Sequence, residues 1–188
     1  MKFRMAIAYA ALFAVCACGQ PASPPPQSAT DLATSTMAQM QTATPAVQFA
    51  ARAAMFENYQ IQAAQIAQQS AQSQAAKTFA AASLAEHQAS LQQLNGAVQA
   101  AGMPQPSGAL DENYNAYLDM LRHANASNFD SIYASQQALS YISASGLYDS
   151  FTSTAPDSPL KQWAQSQSPR VHDGVTAART LAQNIRGS

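Results

Sequence analysis

Five side chains in this 188-residue sequence are candidates for functional chemistry: the thiols of Cys16 and Cys18, the carboxylate of Glu57, and the imidazoles of His87 and His172. The thiols could form a disulfide, a metal site or a lipid attachment site. The other three are of the types that bind divalent metals or join buried hydrogen-bonded clusters. The segments around each residue decide between these chemistries.

The two cysteines are separated by one residue and lie where an uncharged apolar run, residues 5–18, comes to an end. At that spacing they cannot close an unstrained disulfide with each other, and without a third cysteine or a nearby histidine they make a poor metal site. The run follows Lys2 and Arg4. It is too short to span a bilayer of about 30 Å as a helix, but it has the length of a signal-peptide core. This segment predicts export.

The stretch Val15-Cys16-Ala17-Cys18-Gly19 resembles the bacterial lipobox, in which cleavage occurs just ahead of a cysteine that receives a lipid. Cys18 fits better than Cys16, because Val15 would occupy the position before Cys16 where signal peptidase prefers a small residue. We therefore predict a signal peptide at residues 1–17 and an acylated Cys18, with an ordinary cleaved secretory signal as the alternative. Each buried methylene adds about 0.8 kcal/mol, so two or more acyl chains hold a protein stably.

The predicted location is the bacterial cell envelope, as an outer-membrane lipoprotein that faces the periplasm, because Gly19 is not an aspartate. Residues 18–43 contain several prolines, few bulky apolar residues and almost no charge, which predicts a flexible spacer. Removal of Lys2 and Arg4 leaves seven basic residues against ten acidic ones. That balance argues against a nucleic-acid partner and against a polybasic membrane surface, so the predicted membrane contact is the lipid anchor.

Residues 44–188 have the size of one domain and a helical composition that is rich in alanine and glutamine. Four long helices and a shorter one are predicted. Their expected limits are Thr44-Pro45 to about Ser70, Ser73 to Gly102, a short helix within 109–124, Ser127 to about Phe151, and Ser158-Pro159 onward with a bend or restart at Pro169.

A short internal repeat supports an all-α bundle of two helical hairpins. Lysine, an aromatic residue and alanine recur at 77–80 and 161–164, and each set is followed by a histidine, His87 or His172. In the second helix, apolar residues recur at alternating intervals of four and three, and His87 lies within that seam. Glu57 is the only acidic residue of the first helix. Both side chains are therefore expected to point inward.

Four stretches resemble a bacterial family of predicted outer-membrane or periplasmic proteins that is catalogued as domain of unknown function 4142. They are FAARAAMFENYQIQAAQIA around Glu57, KTFAAASLAEH ending at His87, NFDSIY, and LKQWAQSQSPRVHDGV with His172. The resemblance covers roughly residues 47–183 and implies a ferritin-like four-helix bundle, with the extra short helix in the crossover between helices 2 and 3. Where the family usually has a further histidine, this chain has Tyr141.

The ferritin-like di-iron pattern is absent, because Glu-x-x-His is required and the residues three before His87 and His172 are Leu84 and Pro169. A mononuclear site of Glu57, His87 and His172 would supply three protein ligands, as in an open catalytic zinc site. We favour the alternative in which these side chains form a buried hydrogen-bonded network with Tyr59 or Tyr133, because buried polar groups need partners more often than metals. No metal or cofactor is predicted.

The remaining candidates have structural explanations. Ser127-x-x-Asp130 resembles a capping box, so the Asp130 carboxylate is expected to accept backbone amides at the start of its own helix. His123 is expected in solvent, and Phe79 and Trp163 in the core. No phosphate loop or Ser-His-acid arrangement is present, so no catalytic residue is predicted. We expect a lipid-anchored protein with a structural, stress-related or binding role; the alternative is a divalent-metal-binding or metal-dependent protein.

Overall fold

The computed structural model describes residues 44–187, which form five α-helices and no strand. The helices are α1 (Pro45–Ser70), α2 (Gln74–Ala100), α3 (Glu112–His123), α4 (Phe129–Thr154) and α5 (Pro159–Gly187). The predicted all-α class is confirmed, with the short helix α3 between the second and third long helices. The predicted signal peptide, Cys18 and the spacer lie outside the described residues.

The helices begin where short side chains satisfy their first amides. Thr44 Oγ1 accepts a hydrogen bond from the Val47 amide, and Pro45 follows at the first helical position. Ser73 Oγ accepts from the Ala76 amide at 3.1 Å, and Asp111 caps α3 in the same way. The predicted starts of α1 and α2 are therefore confirmed. After α2, Gly102 adopts φ +66°, a left-handed conformation that glycine reaches without a steric penalty.

The two hairpins are α1–α2 and α4–α5, whose helices pack closely along their lengths, while α2 against α5 and α1 against α4 close the bundle. α3 lies against α1 and α4. Small residues on the buried face of α1 allow this packing; they are Ala50, Ala53, Ala54, Ala63, Ala64 and Ala67. Aromatic rings fill one end of the core, where Phe49 stacks on Phe151 at a centroid distance of 3.8 Å. The bundle thus surrounds its central polar residues with apolar packing.

Several local features of α4, α5 and the core can be compared with what the sequence predicts. α5 runs from Pro159 to Gly187 as one helix with Pro169 inside it, so the helix does not restart at Pro169. Leu139 of α4 is an apolar side chain that is 55% exposed. Trp163 is buried and Phe79 half-buried, as core residues would be. Within residues 44–187, no helix combines the length and the apolar character that a membrane span requires.

Candidate functional site

A polar cluster lies at the centre of the bundle, and all four long helices contribute to it. We call it the Glu57 cluster; its members are Glu57 of α1, His87 and Ser90 of α2, Tyr141 and Tyr148 of α4, and Gln167 and Arg170 of α5. Glu57 and His87 have no solvent exposure. The structure therefore places two of the three sequence-predicted side chains in one buried site.

Both oxygens of the Glu57 carboxylate accept hydrogen bonds from the protein. Oε1 accepts from Ser90 Oγ at 2.9 Å, from Arg170 Nη2 at 3.0 Å and from the Tyr148 hydroxyl at 3.3 Å. Oε2 faces His87 Nδ1 in a short contact. The buried charge thus has a guanidinium counter-ion and donors from three other helices, which is the condition under which a buried carboxylate is tolerated.

His87 connects this carboxylate to α4. Its Nδ1 bonds to Glu57, and its Nε2 lies 2.7 Å from the hydroxyl of Tyr141. The imidazole ring also meets Phe56 edge-to-face at a centroid distance of 5.3 Å. Because each ring nitrogen has one fixed partner, the orientation of the imidazole is set on both sides.

The surroundings of Glu57 act on its pKa in opposite directions. Burial raises the pKa, but the charges of His87 and Arg170, together with hydrogen bonds from His87 and Ser90, outweigh it, so the pKa lies below the ordinary value. Burial also raises the pKa of both Tyr141 and Tyr148. The carboxyl is therefore ionised and the two phenols are protonated at neutral pH. In these states Glu57 can only accept hydrogen bonds, and the phenol of Tyr148 can donate one to it.

Arg170 belongs to both the cluster and the protein surface, because its side chain is 21% exposed. Nη2 donates to Glu57 and to Ser90 Oγ, each at 3.0 Å. Nε donates to Gln167 Oε1 at 2.9 Å, and Gln167 Nε2 donates to Gln93 Oε1 at 3.1 Å. Nη1 is buried and has no hydrogen-bond partner among the described residues.

Gly174 allows Tyr141 to reach the cluster. A Cβ atom at this position of α5 would lie 2.1 Å from Cε1 of the Tyr141 ring, closer than any two carbons can approach without a bond. The ring therefore occupies the space that a side chain on α5 would fill. This close approach of α4 and α5 positions the Tyr141 hydroxyl against His87.

The structure does not bring His172 to Glu57 and His87. Its side chain is 51% exposed, and Nε2 bonds to Asp149 on α4 at 2.9 Å. The tyrosines that were expected as partners are also different ones. Tyr59 donates to Gln136, and the buried Tyr133 hydroxyl has no partner within residues 44–187. Tyr141 and Tyr148 make the expected contacts instead.

Sequence reasoning missed Arg170, although a signal for it was present. Arg170 follows the buried Trp163 by seven residues, which returns to the same face of a helix, whereas His172 follows it by nine. Tyr148 follows Tyr141 by seven in the same way, and Ser90 follows His87 by three. Helical spacing from Trp163 and His87, which the sequence assigns to the interior, indicates Arg170 and Ser90; Tyr148 needs the inward position of Tyr141 as well, which the structure shows.

Asp130 also acts at a different place than expected. Its carboxylate accepts the amides of Gln72 and Ser73, at the start of α2, and makes no cap for its own helix. The residue before α4 is Asn128, whose side chain does not cap the helix either. His123 is exposed, with Nδ1 bonded to the Asp119 carbonyl. Neither residue belongs to the central site.

The donor set of the Glu57 cluster does not suit a divalent metal. In the part of the chain that the structure describes, no three His, Cys, Asp or Glu side chains lie together as a metal site would need. The Arg170 guanidinium lies 3.0 Å from Glu57 Oε1. Its positive charge already occupies the position where a metal cation would bind the carboxylate. Glu57 and His87 alone are two ligands, fewer than the three or four of protein zinc sites.

Comparison with known protein families gives a match over most of the chain. A family model described as "Domain of unknown function (DUF4142)" matches residues 31–181, more than three quarters of the chain. The match begins inside the segment that the sequence predicts to be a spacer. No curated protein and no solved structure matched the chain.

Proposed function

The chain belongs to the DUF4142 family, and we propose that it is a lipid-anchored helical-bundle protein of the bacterial cell envelope with a structural, stress-related or binding role rather than a catalytic one. The observation that supports a non-catalytic role for the bundle is that protein donors already hydrogen-bond both oxygens of the Glu57 carboxylate. Four donors within residues 44–187 hydrogen-bond to it, and all come from other helices: His87 and Ser90 from α2, Tyr148 from α4 and Arg170 from α5.

A carboxylate that serves as a general base needs access to a substrate proton, and one that binds a metal needs free lone pairs. Glu57 and His87 are both 0% exposed, and each is held by protein partners. Their geometry supports an internal cross-link between helices better than a reaction centre. The role proposed for the cluster is therefore to fix the arrangement of the four long helices.

The proposed anchor rests on the sequence alone. The lipobox-like stretch ends at Cys18, and the described domain begins at Thr44, so the intervening residues would separate the bundle from the membrane. A modified thiol with two or more acyl chains would tether the protein durably. With Gly19 after the cysteine, the proposed destination is the outer membrane.

The anchor is tested by feeding labelled palmitate to cells that produce the protein. We expect label in the wild type and in Cys16→Ala, because Cys16 would leave with the signal, and no label in Cys18→Ala. Cys18→Ala should also accumulate as the unprocessed precursor or appear in the soluble fraction. Label that persists in Cys18→Ala would refute the anchor. Recovery of the labelled protein mainly with inner membranes would refute the proposed destination.

A further inference from the structure

A groove of about 860 Å³ lies between α1 and α4 and ends against the start of α3. We call it the α1–α4 groove. It begins beside Gln48, in the first turn of α1, and reaches Tyr114 of α3 at its far end. Buried apolar side chains form part of its lining; they are Met55, Phe56 and Ala144. The groove therefore offers an apolar surface that starts where the described chain starts.

Two features on the α4 side of the groove lack an explanation within residues 44–187. Gly146 lies inside α4, where glycine costs about 1 kcal/mol relative to alanine, yet a Cβ there would meet no described atom within 4 Å. Leu139 is 55% exposed, and it shares a helical face with Ser143 and Gly146 of the groove wall. A helix packed closely against α4 would use the space at the glycine and cover the leucine.

The family match points to an occupant within the same chain. It begins at residue 31, whereas the described residues begin at Thr44, so residues 31–43 belong to the family's shared unit. Their sequence is DLATSTMAQMQTA, and its bulky apolar residues, Leu32, Met37 and Met40, fall on one side of a helix. This segment leads directly into the end of α1 from which the groove starts.

The segment also has the length that the groove requires. On the α1 side the groove extends from Gln48 to Phe56, about 12 Å at the helical rise of about 1.5 Å per residue. A helix over residues 31–41 would be about 16 Å long. The residues that remain before Thr44 are enough for the turn of roughly 2–5 residues that joins two antiparallel helices. The segment can therefore reverse direction at the start of α1 and cover the groove.

We propose that residues 31–43 form a further helix that turns back at the start of α1 and packs in the α1–α4 groove. Met37 and Met40 lie on its apolar lining, beside Gly146. Methionine suits this contact, because its flexible side chain adapts to irregular surfaces. Residues 19–30 then remain as the spacer, which is shorter than the sequence alone predicts. The inference goes beyond the proposed function, and it requires neither the lipid nor the membrane.

Oxidation by dilute hydrogen peroxide tests this docking in the protein produced from the full-length chain. Peptide mass spectrometry gives the oxidation rate of each methionine. Met120 is 51% exposed and Met55 is 7% exposed, so the same molecule contains a fast and a slow reference. We expect Met37 and Met40 to oxidise at least fivefold more slowly than Met120. Rates equal to that of Met120, or above it, would overturn the proposal.

A matched pair of glycine variants tests the location. Gly146→Leu fills the α4 wall of the groove, whereas Gly96→Leu makes the same change on α2, where a Cβ also meets open space. We expect Met37 and Met40 to oxidise as fast as Met120 in the first variant and to stay protected in the second. Protection that persists in Gly146→Leu would place the methionines elsewhere and overturn the proposal. Protection that is lost on hundredfold dilution would overturn it too, because the occupant would then be a second copy. Palmitate labelling through Cys18 affects neither result.

Discussion

The carboxylate of Asp130, in the first turn of α4, accepts the backbone amide of Ser73 at 2.6 Å, although Ser73 caps a different helix. Its second oxygen accepts the amide of Gln72 at 2.9 Å. Ser73 Oγ in turn accepts the Ala76 amide. The start of α2 is therefore capped in two layers, and the outer layer is supplied by the opposite hairpin.

Asp130→Ala should lower the free energy of unfolding by about 1–2 kcal/mol, the usual cost of losing a charged cap. Asp130→Asn keeps one acceptor oxygen and should lose less. Urea unfolding at neutral pH provides the measurement. Asp157→Ala is the control, because Asp157 is 97% exposed and faces Lys161 only at 3.6 Å. If the Asp130 and Asp157 variants unfold alike, the contact with Ser73 contributes nothing in solution.

His87→Ala should be strongly destabilising, by about 2–4 kcal/mol, because it removes a buried hydrogen-bond partner from both Glu57 and Tyr141 and leaves a cavity. His123→Ala should change stability by less than about 0.5 kcal/mol, since that side chain is exposed. Thermal unfolding followed by circular dichroism compares the two. A His87→Ala protein that melts with the wild type would show that the imidazole is not part of the packed cluster.

Chelator should leave the melting midpoint of the wild type unchanged, because the negative charge of Glu57 is balanced by Arg170 and not by a metal ion. A bound metal would stabilise the fold by mass action, so its removal would lower the midpoint. Metal analysis of protein purified without an affinity tag accompanies the melt. Stoichiometric metal in the wild type that is lost in His87→Ala would support the metal-binding alternative.

Acidification should remove the stability that ionised Glu57 contributes. The pKa of Glu57 in the folded protein lies below its ordinary value of 4.5, so this contribution is complete above pH 4.5 and is lost as the pH falls from there through the folded pKa. Glu57→Gln has no ionisable group here and should lack this component. At neutral pH the free energy of unfolding of Glu57→Gln should be about 2–3 kcal/mol lower than that of the wild type. This loss is smaller than the cost of breaking a fully buried ion pair, because Arg170 is 21% exposed.

The measurement for Glu57 is urea unfolding of both proteins between pH 7 and pH 3. Other carboxylates titrate in this range in both proteins, so the difference between the two curves isolates Glu57. That difference should shrink steadily below pH 4.5. A gap that stays constant down to pH 3 would contradict a lowered pKa.

Gly174→Ala should destabilise the bundle by about 1–3 kcal/mol, because its new Cβ would overlap the Tyr141 ring and force the helices apart. Gly96→Ala is the matched control. Gly96 lies within α2 with nothing near its missing Cβ, so alanine there should stabilise by about 0.5–1 kcal/mol. Opposite shifts of the two melting midpoints are expected, and shifts of the same sign would argue against the close approach of α4 and α5.

The features that the sequence predicts correctly are those that local rules determine. Thr44 with Pro45, and Ser73, act on amides within three residues of themselves, so their capping could be recognised from the sequence. The inward position of Glu57 could be inferred as well, because a single acid stands among alanines along one helix.

Partners across the bundle could not be assigned in the same way. Asp130 accepts the amides of Ser73 and Gln72, which are 57 and 58 residues away in the sequence. The pattern Ser127-x-x-Asp130 predicts a cap at the start of its own helix instead. Which tyrosine meets His87 depends on how α4 is rotated and shifted against α2, and periodicity within one helix does not determine either quantity. The short repeat predicts equivalent positions for His87 and His172, but the structure breaks that symmetry by exposing His172.

The sequence separations within the Glu57 cluster bear on how the chain folds. Glu57 is 30 residues from His87, 91 from Tyr148 and 113 from Arg170. Helices form from local contacts in microseconds, but bonds across such distances form only after the intervening loops have closed. Neither hairpin alone can satisfy the carboxylate, since its donors are divided between them. We therefore expect completion of the cluster to be a late event that makes assembly of the two hairpins cooperative.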